Sequence, residues 1–199
     1  MKISEIRIQN QKTLDRAQEI MTLLSSIDNF NISIEETNNA QLFYLSTAML
    51  TAQQKAPLGE KFLRNKLKMQ KVSSSEDRGD AVDNNKKYYE FKTSFTNKDQ
   101  NLNIRQIRLW QDINYYYCIY INEEELDKSL FFILTKEQMI EEVALCGSYT
   151  HGTVVANSVN IHKEYSITIP VYNDNNIKTK RWKERYLSQK LKEAILYES

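Results

Sequence analysis

The residues whose types and spacing could do chemistry together are Asp80, Glu90 and Lys92, in the run GDAVDNNKKYYEFKTSF over 79–95. In a strand successive side chains alternate faces, so Glu90 and Lys92 share one face while Tyr89, Phe91 and Phe95 share the other, as a core-facing set does. A hairpin centred near Asn85 sets Asp80 opposite Glu90, and two carboxylates and an ammonium then converge. Two carboxylate oxygens at one point suit a hard divalent cation such as Mg²⁺, whose remaining positions are filled by water and phosphate. Such a cation polarises a phosphate and lowers the pKa of a bound water, while a neighbouring lysine orients that water and stabilises developing charge. The chemistry expected is phosphodiester hydrolysis. The competing reading is an ion pair on an exposed sheet face with no catalytic meaning. Asp77 and Asp83 are rivals to Asp80, but Asp77 falls in a polar loop and Asp83 at the turn, where Asx side chains serve the backbone.

The elements that must position these groups are punctuated by only four glycines and two prolines, so boundaries are read from clusters of Asn, Asp and Ser. The spacing of Leu14, Ala17, Ile20, Met21 and Leu24 predicts an amphipathic helix over 11–25, and the apolar run over 40–53 predicts a buried one. Pro57 suits the first turn of a basic helix over 57–70. The hairpin pairs Gly79–Asp83 with Lys87–Phe95. A helix is expected at about 100–111, then the strand INYYYCIYI and a strand over Ser129–Leu134. Thr135 and Gln138 form a capping box that opens a helix to about 145. Glu164–Val171 alternates as a strand, and a basic amphipathic helix over 181–196 closes the chain. This order predicts an α/β core, a mixed β-sheet flanked by helices, in one domain. Residues 1–54 form its helical N-terminal part, 55–171 the core and 172–199 the basic C-terminal part.

Gly79-Asp80, nine residues, then Glu90-Phe91-Lys92-Thr93-Ser94 resembles the PD-(D/E)XK nuclease signature, in the form found among type II restriction endonucleases. The run IRQIRLWQDINYYYCIYI resembles the segment of such enzymes in which a polar helix crosses the site and leads into the next core strand. The turn Gly147–Thr153 with the later EYSITIPV is also similar to restriction-enzyme sequence. The resemblance covers about residues 57–171, and its Asp…Glu-x-Lys core is degenerate across the superfamily. It implies a restriction-endonuclease-like core and Mg²⁺-dependent cleavage of double-stranded DNA, with Asp80 and Glu90 as metal ligands and Lys92 beside the attacking water. The family often carries a glutamate on the helix before the sheet, and Glu60 in PLGEKFLRNKL matches it. No proline precedes Asp80, and the first core strand, expected between helix 57–70 and the hairpin, is not evident in KVSSSEDR.

The formal net charge is +1, but it is segregated: 55–71 carry +5, 177–192 carry +6 and 122–142 carry −5. Basic segments of this density grip phosphates, each contact adding to salt dependence. The expectation is that both basic segments flank the Asp80/Glu90/Lys92 site while 122–142 faces away. DNA contacts are expected from Arg105 and Gln111, from Ser148, Thr150 and His151 in the loop 147–163, and from Lys178, Lys180 and Arg181. Asn157, Asn160, Asn173, Asn175 and Asn176 suit base edges chemically but are the common turn formers.

Two cysteines supply neither a disulfide framework nor a CxxC zinc spacing, and two histidines give little basis for an HNH-type site. Without GxxxxGK[ST] or GxGxxG no nucleotide cofactor is expected. No apolar run reaches the length of a membrane span and MKISEIRIQN lacks a signal peptide's apolar core, so a soluble, cytoplasmic protein is expected. Together these features predict a type II restriction endonuclease of a restriction–modification system, a homodimer cutting a palindromic site with Mg²⁺. The N-terminal helices would supply the dimer surface or pack over the core. Two alternatives stand beside it: a structure-selective PD-(D/E)XK nuclease of DNA repair or recombination, and a non-catalytic DNA-binding domain.

Overall fold

The computed structural model describes residues 50–73, 75–96, 99–123, 125–149 and 159–197. The helix expected over 11–25, residues 40–49 of that over 40–53, and the candidate contacts Thr150 and His151 lie outside the described residues.

Helix α1 runs Ala52–Lys66 and starts at a capping box: Gln54 N–H donates to the Thr51 hydroxyl and Thr51 N–H to the Gln54 side chain. Pro57 is therefore inside the helix and not in its first turn as expected. The box satisfies two orphan donors one turn earlier, which offsets the single backbone hydrogen bond the proline removes. Strand β1 (Gln70–Lys71) is two residues long, which is why KVSSSEDR shows no strand pattern.

Strands β2 (Ala81–Val82) and β3 (Tyr88–Phe95) form the expected hairpin, with Ala81 opposite Tyr89 and Val82 opposite Tyr88. Asp83 serves its turn, its Oδ1 accepting the N–H groups of Asn85 and Lys87 and its Oδ2 the Tyr89 hydroxyl. The helix expected at about 100–111 is instead strand β4 (Asn101–Arg108). Leu102 and Ile104 alternate as a strand requires, but a register shift between Ile104 and Ile107 breaks the period of two and mimics helical spacing.

Strand β5 (Tyr115–Ile121) then runs parallel beside β3, and β6 (Leu130–Thr135) antiparallel beside β5, giving a mixed sheet in the order β1-β2-β3-β5-β6. The Thr135/Gln138 capping box opens α2 (Lys136–Cys146) as expected. Strands β7 (Ser148–Tyr149) and β8 (Glu164–Pro170) join β4 in a second sheet ordered β4-β8-β7. The single C-terminal helix expected over 181–196 is two, α3 (Ile177–Tyr186) and α4 (Gln189–Leu196). It breaks because Leu187 bridges to Phe132 and Ser188 N–H donates to Phe131 O at 2.7 Å, extending the sheet edge before the Ser188 side chain caps α4.

The central strands β3, β5 and β6 of the five-stranded sheet are covered on both faces. Phe62 and Leu63 of α1 and Leu191 and Ile195 of α4 pack with Phe91, Ile119 and Phe131 on one face. The second sheet, with Met139 and Val143 of α2 and Trp182 of α3, covers Tyr116, Cys118 and Phe132 on the other. Burial on both faces explains the near-continuous apolar run YYYCIYI, since neither face of β5 is left to water. Cys118 is buried within this core, Cys146 is half-buried, and the two are not joined.

Candidate functional site

The hairpin register that pairs Ala81 with Tyr89 sets Asp80 against Glu90 one step beyond the ladder. Asp80 N–H donates to Tyr89 O at 2.8 Å, and Phe91 N–H donates to Asp80 Oδ2 at 2.9 Å, so backbone and carboxylate are both anchored to β3. The turn into Asp80 depends on Gly79, whose φ is +81° and where an added Cβ would lie 2.7 Å from Tyr89 O and 2.9 Å from Ile113 Cγ2. A backbone carbonyl cannot move aside without breaking the hairpin. Gly79→Ala is expected to cost about 2–3 kcal/mol in urea unfolding, combining left-handed strain with the clash.

Glu90 and Lys92 share a strand face, and Lys92 Nζ lies 2.6 Å from Glu90 Oε1. The face is not the exposed one considered from sequence: the two side chains are 14% (Lys92) and 7% (Glu90) exposed, because the register puts them beside Tyr116 and Cys118 under the second sheet. A surface ion pair is worth little, whereas a pair this buried carries a desolvation cost that its mutual attraction must offset. Glu60, on α1, lies close enough to Asp80 and Glu90 for their charges to repel, so the structure brings it to the same cluster. Arg64, one turn further along α1, and Arg108, at the end of β4, bring positive charge to it.

Burial pushes the Asp80 carboxyl above its ordinary value, helped by repulsion from Glu60 and opposed by the Phe91 N–H and the nearby Lys92. Glu90 is raised by burial and by Asp80 against the attraction of Lys92, and Glu60 by burial and Glu90 against Arg64. Three carboxylates thus hold protons more tightly than usual, chiefly because burial disfavours their charged forms.

Those residues fit a hard divalent cation. Glu90 Oε2 is buried and without a hydrogen-bond partner among the described residues, a state that ion binding would relieve. Among the described residues no three His, Cys, Asp or Glu side chains form a ready-made ligand group. Asp80 and Glu90 would therefore supply two oxygens, with water and phosphate completing the shell, the arrangement Mg²⁺ favours over an all-protein cage.

The expected DNA contacts are dispersed. Arg105 is exposed on β4. Gln111 is buried, its backbone carbonyl accepts the Lys136 ammonium at 2.6 Å, and its side-chain Oε1 has no hydrogen-bond partner among the described residues. The Ser148 hydroxyl lies 3.0 Å from that of Ser166. Lys178 is half-buried and Lys180 exposed on α3. Arg181 is committed to Glu142, with Nε 2.8 Å from Oε1 and a terminal nitrogen 2.6 Å from Oε2. Asn160, Asn173 and Asn176 cap turns or helix starts through their side chains.

The acidic segment 122–142 does not face away from the basic ones. Glu123 pairs with Lys55, Glu141 with Arg185 and Glu142 with Arg181, and the Asp127 carbonyl accepts the Lys192 ammonium. Segments far apart in sequence but opposite in sign attract on folding, so Arg181 and Arg185 are spent on internal ion pairs. The basic segment that does reach the carboxylate cluster is 55–71, through Arg64 and Lys71.

Sequence reading missed Arg108, Arg64 and Glu142. Arg108 was hidden by the helix expected at 100–111. Its only sequence signal was the run of alternating apolar residues from Leu102. Among the described residues no helix is long and apolar enough to cross a membrane. No protein-family model matches the chain and no curated protein is similar to it, so the site stands on its own geometry.

Proposed function

We propose that the chain is a Mg²⁺-dependent endonuclease of double-stranded DNA with a PD-(D/E)XK core, acting as a type II restriction enzyme, in the cytoplasm and as a homodimer. The observation that carries this reading is the hairpin pairing of Asp80 with Glu90 and Lys92, joined by Glu60 from α1. Asp80 and Glu90 would hold Mg²⁺, which would supply a Lewis acid for the phosphate and a water of lowered pKa. Asp80, fixed through Oδ2 by the Phe91 N–H, and Glu90, fixed through Oε1 by Lys92, present oriented carboxylates without reorganisation. Lys92 Nζ holds a proton donor where negative charge builds on the phosphoryl oxygens. Glu60, with its raised proton affinity, is placed to take the proton that water gives up. Arg64 adds positive charge that would draw a phosphate to an otherwise acidic cluster, whereas Arg108 is ion-paired with Glu164 at 2.8 Å.

The raised carboxyls give a pH test whose sign is fixed. Between their ordinary range near pH 4 and their raised values, the folded state binds more protons than the unfolded one, so stability falls as pH rises through that window. Mg²⁺ binding needs the ionised forms and reverses the penalty. In thermal melts, millimolar Mg²⁺ is expected to stabilise by about 1 kcal/mol at pH 8 and by much less at pH 5. An equal effect at both values would mean that these carboxylates do not take the ion.

Incubation with plasmid and phage DNA plus Mg²⁺ tests the activity. Discrete, reproducible fragments are expected. A smear or junction-selective cutting would replace restriction by repair or recombination. Binding without cutting would reduce Glu90–Lys92 to a structural pair in a DNA-binding domain.

A further inference from the structure

Glu90 Oε2 and the Tyr116 hydroxyl are both buried and both without a hydrogen-bond partner among the described residues. They belong to neighbouring side chains. Strands β3 and β5 run parallel with Glu90 paired to Tyr116 and Lys92 to Cys118, and paired residues of adjacent strands project from the same face of a sheet. Tyr116 is fully buried on that face, in the core that the second sheet completes. Burial pushes its phenol up, and the charge of Glu90 pushes it further in the same direction.

The two orphaned atoms are chemically complementary. A phenol has one O–H to donate, and Oε2 accepts, its sister Oε1 already taking the Lys92 ammonium at 2.6 Å. A buried donor and a buried acceptor left unmet side by side are costly to a fold, and a water that bridges them removes both costs. A carboxylate held at one oxygen still turns about its Cγ–Cδ bond, whereas one held at both keeps its plane. Each oxygen has two lone pairs, so a donor on one of them leaves the other for a cation.

Resting on the nuclease reading above, we infer that Tyr116 is a positioning residue of the cation site: through one buried water its hydroxyl holds Glu90 Oε2, fixing the carboxylate that Lys92 holds at Oε1. Tyr116 acts on the cation only through Glu90. Outer partners of this kind orient metal ligands, and losing one weakens metal binding about tenfold or more.

The test is titration calorimetry with Mg²⁺ and Mn²⁺ on the wild-type chain, Tyr116→Phe and Tyr120→Phe, with ion-free thermal melts and cleavage rates over a range of Mg²⁺ concentrations. Tyr120 is the control, since its ring is fully buried on the same face of β5 but its register partner is Ser94. Tyr116→Phe keeps the ring and its packing, so the ion-free melting temperature is expected to hold. Its cation affinity falls about tenfold. Cleavage then needs about tenfold more Mg²⁺ but approaches the wild-type rate at saturation. Tyr120→Phe binds the cation as the wild type does. Unchanged affinity in Tyr116→Phe overturns the inference and leaves the nuclease reading standing. An equal loss in both variants does the same, as does a Tyr116→Phe chain that melts well below the wild type before any ion is added, because the hydroxyl then serves the core. A wild-type chain that binds neither ion removes both.

Discussion

Asp80→Asn is expected to slow Mg²⁺-dependent DNA cleavage by on the order of 10³-fold while leaving the melting temperature unchanged or higher. The two effects separate because Asp80 is held against its own preference. Burial and Glu60 push its carboxyl upward, so at neutral pH the ionised form costs the fold stability. Asparagine keeps an oxygen for the Phe91 N–H, now 2.9 Å from Oδ2, and removes the charge that repels Glu60. What disappears is one of the two anionic ligands a divalent cation needs. Initial rates on plasmid DNA and thermal melts of the same preparation check both halves. Lys92→Ala should be as inactive but less stable, since it strips Glu90 of its ion-pair partner in a buried position. Cleavage unaltered in both variants would remove the assigned roles.

The second large effect concerns stability. Glu142 has a fully buried side chain, yet it accepts from Arg181 at both oxygens, from Trp182 Nε1 at 2.7 Å and from the Tyr186 hydroxyl at 3.0 Å. Burial alone would raise its carboxyl; the hydrogen bonds from Arg181, Trp182 and Tyr186 outweigh that and hold it below the ordinary range. Its stabilisation is therefore present above about pH 4 and lost as pH falls through the lowered value. Glu142→Ala leaves a partly buried guanidinium and two further donors unsatisfied, with an expected cost of about 3–5 kcal/mol by urea unfolding and a melting temperature lower by about 10 °C. Combining Glu142→Leu with Arg181→Met should recover part of the loss, because no unpaired charge then remains. A loss below about 1 kcal/mol for Glu142→Ala would mean that water satisfies these donors. DNA cleavage by Arg181→Lys is a useful companion, since this arginine holds α3 to α2 and is not available to a phosphate.

The hairpin was legible because everything that sets it is local. Asn84-Asn85 make the turn, Asp83 ties it, and the alternation of Tyr89, Glu90, Phe91 and Lys92 fixes the faces. The strands over Leu130–Thr135 and Glu164–Pro170 and the Thr135/Gln138 capping box were legible for the same reason. Strand β4 was not, because its bulge is held by pairing with β8, more than fifty residues away, and the slipped spacing has no local signature. Nor was the break between α3 and α4, which depends on Leu187 and Ser188 meeting the edge of β6.

By itself the sequence determined which carboxylates and which lysine could meet, since hairpin register follows from a short turn and side-chain alternation. Only the tertiary structure decided the environment of that meeting. It buried the Glu90–Lys92 face beneath a second sheet and brought Glu60 and Arg64 of α1 within electrostatic reach of Asp80. It also drew opposite charges together, so that Arg181 and Arg185 of the basic 177–192 segment are ion-paired with Glu142 and Glu141 of the acidic 122–142 segment. Burial and long-range attraction depend on which surfaces meet in space, and a linear pattern does not carry that information.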